Sequence, residues 1–170
     1  MERAKESAID AIETIVAFYL AALAAREVTE YCELPDASDS VAALHAENDR
    51  LGHKIPKRIL SHAVDILTDC EGENLEDIVR EIALSVEVRS AWQEPSYSPK
   101  FDEYRILFTF GGPNIWFLGE LDSHDEPSSI VDVQAYWGDS AYRSDVRYAG
   151  VPFGAKALEW FTSLFVYCKL

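Results

Sequence analysis

Tyr104-Arg-Ile-Leu-Phe-Thr-Phe-Gly-Gly-Pro-Asn-Ile-Trp-Phe-Leu-Gly-Glu-Leu121 is the stretch that decides the fold class. Tyr104, Ile106, Phe108 and Phe110 alternate with Arg105, Leu107 and Thr109, so a β-strand here presents one wholly apolar face. Gly111 to Asn114 reads as a turn, and Ile115 to Leu121 as the returning strand. A polar connection from Asp122 to Ser129, with Pro127 in it, leads to a third strand over Ile130 to Trp137. Ala141 to Tyr148 suits either a fourth strand or a loop. Upstream, Ser85-Val-Glu-Val-Arg-Ser90 also alternates and reads as a strand, and Glu94-Pro-Ser-Tyr-Ser-Pro99 is a loop by composition. Leu158, Phe161, Leu164 and Phe165, within Ala155 to Cys168, recur at helical spacing and predict a helix packed across the sheet.

The residues before Ser85 carry a different period. From Glu2 to about Glu33 the chain reads as one long Ala-rich helix ended by Pro35, with Ile9, Ile12, Val16, Tyr19 and Leu23 at helical steps. Ile15, Phe18 and Leu20 put apolar groups on its remaining faces, so its middle needs cover all round. That cover comes from the other helices or from a second copy in a homodimer. A second helix is expected from Asp39 or Ser40 to Leu51, stopped by Gly52. A third opens at Pro56, and a fourth is capped by Asn74. The whole is α+β: a helical region over 1–84, then an antiparallel meander of three to four strands closed by a C-terminal helix over 85–170, joined as one compact unit.

A formal net charge of −15 on 170 residues accompanies a 48% apolar composition. A packed core under an acid-coated surface is implied, since such a chain is too apolar for intrinsic disorder. The charge repels nucleic acid and attracts proteins that bind it. Cys32, Cys70 and Cys168 lie far apart and outside any Cys-x-x-Cys pair, as suits reduced thiols in a cytoplasm. The first residues lack the features of a signal peptide, and the apolar run Thr14 to Ala25 is shorter than the ~20 residues of a membrane span. A soluble cytoplasmic protein is expected, without membrane contact.

Three stretches carry a resemblance: Ser85-Val-Glu-Val-Arg-Ser-Ala-Trp92, Ile106-Leu-Phe-Thr-Phe-Gly-Gly-Pro113 and Gly119-Glu-Leu-Asp122. Together they look like a family of uncharacterised small acidic accessory proteins of phages, plasmids and integrated elements. The similarity runs from Ser85 to Trp137, and its motifs are strand edges and a turn, so it transfers no functional residue. It implies a mobile-element accessory protein.

Candidate chemistry is sparse. His45, His53 and His62 have no ligand spacing along a helix, and His124-Asp125-Glu126 sits in a predicted hairpin loop where polar residues collect for solvation. No nucleophile elbow, phosphate loop, dinucleotide fingerprint or zinc motif occurs, so no catalytic residue, cofactor or metal is expected. Two sets of side chains are expected to meet a partner. One is the acidic stretch Asp65, Asp69, Glu71, Glu73, Glu76 and Asp77. The other is an aromatic sheet face around Trp116 and Trp137, drawn from a set that also includes Trp92, Tyr97, Tyr136, Tyr142 and Tyr148, because aromatic rings dominate interface hot spots. The expected partner is a basic nucleic-acid-binding host protein or complex, met without direct nucleic-acid contact. The expected function is inhibition of a host defence system of anti-CRISPR or anti-restriction type. The alternatives are a small hydrolase built from scattered His and carboxylates, or a non-catalytic phage assembly protein.

Overall fold

The structure is a computed structural model that describes residues 2–31, 36–52, 54–70, 72–90, 101–109, 112–145 and 150–165. Among these residues, five helices and five strands follow in the order α1 (Glu2–Tyr31), α2 (Ala37–Arg50), α3 (Lys57–Asp69), α4 (Leu75–Ile82), β1 (Ser85–Arg89), β2 (Glu103–Thr109), β3 (Asn114–Leu121), β4 (Pro127–Trp137), β5 (Ser140–Asp145) and α5 (Gly154–Ser163). The α+β architecture expected from the sequence is therefore present.

The helix starts are set by side-chain acceptors. Asp36 accepts from the Asp39 amide and Asp39 reaches back to the Asp36 amide, a reciprocal cap that begins α2 earlier than the expected Asp39 or Ser40. Asn74 caps α4 by accepting from the Glu76 amide at 3.0 Å. Pro56 stands just before α3 rather than inside its first turn.

All five strands pair antiparallel in the order β1-β2-β3-β4-β5, one strand more than the upper expectation. The segment that suits either a strand or a loop forms β5, which starts at Ser140. Trp137 pairs with Ser140 across the two-residue turn Gly138-Asp139, and Gly138 has φ +53°, the left-handed backbone such hairpins use. β4 also begins earlier than expected. Leu121 pairs with Pro127, which as the first residue of the strand need not donate an amide to the ladder.

One sheet face is the floor of the core. Tyr104, Ile106, Ile115, Phe117, Val131, Val133 and Ala135 are all buried on it. Helix α5 lies on β4, and Phe161 meets Phe117 and Phe108 edge-on at ring-centroid distances of 5.6 and 6.1 Å. Helix α1 touches β3, β4, β5 and α5 on one side and α2, α3 and α4 on the other. Its middle is thus covered by its own chain: Ile12, Ile15, Val16, Ala17, Leu20 and Ala21 are buried, Phe18 is half-buried, and Ala4, Ala8 and Ala11 let neighbours approach closely.

This placement also corrects the reading of α1 by its longest apolar run. Over Glu2–Thr29 the helix is long and apolar enough to cross a membrane by length and composition. Half of its apolar window is buried inside the fold, and those residues belong to the core cluster.

Candidate functional site

The acidic stretch forms the join between α3 and α4. Asp65 and Asp69 are one helical turn apart and exposed, as are Glu73, Glu76 and Asp77. Among the described residues Asp65, Asp69 and Glu73 make no ion pair, while Glu76 and Asp77 share Arg80 at 3.6 and 2.5 Å. Arg80 also donates from Nε to the Leu164 carbonyl at 2.9 Å, which ties α4 to the end of α5. The neighbouring Cys70 thiol is pushed up in pKa by burial and, secondarily, by the Glu73 and Asp69 carboxylates, a local sign of negative potential. Glu71 lies outside the described residues.

The outward face of the sheet is the second candidate, and on it the charges are nearly balanced. Glu87 pairs with Arg105, Glu103 with Arg89 and Asp132 with Arg143, each across adjacent strands. Arg105 also lies over the Trp116 ring, 4.6 Å from its centroid. Half-buried Leu107 and Leu118 sit between these charges, and Glu120 adds a fourth carboxylate opposite Glu103. Exposed ion pairs of this kind contribute only about 0–1 kcal/mol each. Their effect is to hold a ruled, pre-ordered surface on which no element among the described residues packs.

Trp116 and Trp137 do not share that surface. Trp116 pairs with Gln134, and the Tyr136 hydroxyl donates to the Gln134 side chain at 3.2 Å, so Trp116, Gln134 and Tyr136 stand on the open face. Trp137 is in phase with buried Val133 and Ala135 and therefore lies on the helix-facing side, where it is 38% exposed beyond the cover of the helices. The aromatic face is thus Trp116 with Tyr136, and Trp137 is corrected out of it. Tyr142, paired with Ala135, packs against the core. Trp92, Tyr97 and Tyr148 lie outside the described residues.

Other titratable residues either build structure or stand exposed. Asp122 accepts from the His124 and Glu126 amides at 2.7 and 3.1 Å, which closes the β3–β4 turn and holds its carboxyl below the usual range. His124 is exposed beside it, 3.7 Å from the same carboxylate, and His45 and His62 are exposed on α2 and α3. Arg58 of α3 binds both Asp10 and Glu13 of α1, which offsets one of their two negative charges and ties the helices together. Among the described residues no group of three or more His, Cys, Asp or Glu is placed to hold a metal ion. His53, Cys32 and Cys168 lie outside the described residues.

A further feature had no sequence signal. Between α1 and α2 lies a groove of about 520 Å³, floored by Leu20, Leu23, Leu44 and Leu51 and walled by Phe153. Apolar periodicity gives helix faces, but a groove depends on how far two faces stand apart. No protein-family model, curated protein or solved structure matches the chain.

Proposed function

We propose that this chain is a non-catalytic binding protein of a mobile element that occupies the basic surface of a host nucleic-acid-handling complex, in the manner of an anti-CRISPR or anti-restriction inhibitor acting in the host cytoplasm. The supporting observation is the α3–α4 join. Asp65, Asp69 and Glu73 stand exposed without ion pairs among the described residues, in a chain of net charge −15. By contrast, Asp10 and Glu13 on α1 are committed to Arg58, and Glu87, Glu103 and Asp132 on the open sheet face to three arginines. Uncommitted carboxylates can form charge-assisted hydrogen bonds to the Arg and Lys side chains that otherwise hold phosphates. They also speed encounter with a positive surface. The choice of a defence complex rests on the resemblance over Ser85 to Trp137.

The test is competition. The protein is immobilised in host lysate at low and at high salt, and retained proteins are identified and assayed for nucleic-acid binding with and without the soluble chain. A retained complex whose nucleic-acid binding is blocked by wild type, and spared by an Asp65→Lys, Asp69→Lys, Glu73→Lys variant, supports the proposal. Retention that ignores salt and the triple reversal removes the acidic join as the site.

A further inference from the structure

The groove between α1 and α2 carries charge of the opposite sign to the molecule. Its lining includes Arg26, Arg50 and Lys156 against Glu27 and Glu47, a local balance of +1 in a chain of −15. Glu47 is already bound to Arg50, which donates to it from Nε and Nη2 at 2.6 Å each. Lys156, in the first turn of α5, is exposed and makes no ion pair among the described residues. A cationic group is thus left at the rim, beside an apolar floor.

The floor itself lacks a complement. Leu23 is 45% exposed, the one large apolar helix side chain left so among the described residues, while Leu20 and Leu44 beneath it are 5% and 1% exposed. Phe153 closes one wall from a left-handed backbone of φ +64°, a conformation uncommon for an aromatic residue. The volume of about 520 Å³ falls within the roughly 300–1,000 Å³ of small-molecule sites, which combine an apolar lining with a few placed polar groups.

We infer that this groove binds a single-chain amphiphile with an anionic head group, of the class of a long-chain alkyl carboxylate, with its tail along Leu20, Leu23 and Leu44 and its head at Lys156. The site is separate from the acidic join and does not depend on the inhibitory function proposed above. Charge decides the class of ligand. A molecule of net charge −15 attracts cationic amphiphiles everywhere by its mean field, so preference for an anionic head can come only from a local site such as this rim.

The experiment compares dodecanoate with dodecyltrimethylammonium, which share a tail and differ in head charge. Each is titrated below its micelle concentration into the full chain, by calorimetry and by amide chemical-shift mapping. Dodecanoate is expected to bind at least tenfold more tightly and to shift amides of α1, α2 and the start of α5. Lys156→Glu should weaken it at least tenfold. Leu23→Asn, at an exposed position that leaves the fold intact, should do the same through the tail. Arg105→Glu, on the open sheet face, should bind as wild type. Equal or stronger binding of the ammonium compound overturns the inference. So does dodecanoate binding that ignores both groove variants.

Discussion

The ring of Tyr104 lies across the backbone of Gly119, its cross-strand partner between β2 and β3. A Cβ at Gly119 would stand 2.5 Å from the Tyr104 hydroxyl oxygen and 2.7 Å from ring carbon Cε1. Tyr104 is only 2% exposed, so the ring has no solvent to withdraw into. Gly119→Ala should therefore lower stability by about 1–3 kcal/mol through overpacking. Urea denaturation with an unchanged m-value checks this, and a midpoint equal to wild type would show that the ring moves freely.

The same tyrosine predicts the alkaline limit of the fold. Burial pushes its hydroxyl up to about 12, with a Thr162 hydrogen bond acting in the opposite direction. Between pH ~10 and ~12 the unfolded chain loses this proton and the folded chain keeps it, so stability falls with rising pH. The stability lost through this group is about 2–3 kcal/mol, none of it below pH ~10 and all of it above ~12. Tyr19, also raised, chiefly by burial, adds to the slope. Tyr104→Phe should flatten the pH dependence of the urea midpoint over that window without abolishing it.

At the core, Phe161 touches Phe108, Phe117 and Phe165 with ring-centroid distances of 6.1, 5.6 and 5.2 Å. Phe161→Ala removes the ring through which α5 grips the sheet and should cost about 3–5 kcal/mol. Calorimetry should register a matching fall in melting temperature.

The α4 cap tests whether the acidic join is rigid. Asn74→Ala deletes the acceptor for the Glu76 amide and should cost about 0.5–2 kcal/mol, while Asn74→Asp should retain the cap. If α4 holds the join in register, the alanine variant also weakens partner binding more than the aspartate variant does.

Much of the fold was legible because periodicity is local. Ile9, Ile12, Val16, Tyr19 and Leu23 carried α1, and the alternation from Tyr104 carried β2 and its apolar face. The turn Gly138-Asp139 carried a hairpin signal that the surrounding polar residues obscured, which left β5 open between strand and loop. Trp116 and Trp137 show a different limit. Phase within a strand can be counted in the sequence, but which phase of β4 matches that of β3 depends on pairing, and Ile115 opposite Ala135 fixes it. Likewise charge gave the number of acids but not their commitments; only the fold puts Arg58 between Asp10 and Glu13 and leaves Asp65, Asp69 and Glu73 outside such pairs among the described residues.

Helix α1 is synthesised before every partner that buries it, and three of those partners, β4, β5 and α5, are the last elements of the described chain. On the ribosome the side of its apolar middle that faces the sheet and α5 must wait, uncovered, until residues near Phe161 have emerged. The meander assembles meanwhile from neighbours in sequence, whereas the closing of the core spans nearly the whole chain length. Nascent chains halted before α5 should therefore carry a sticky first helix and be the form that chaperones hold.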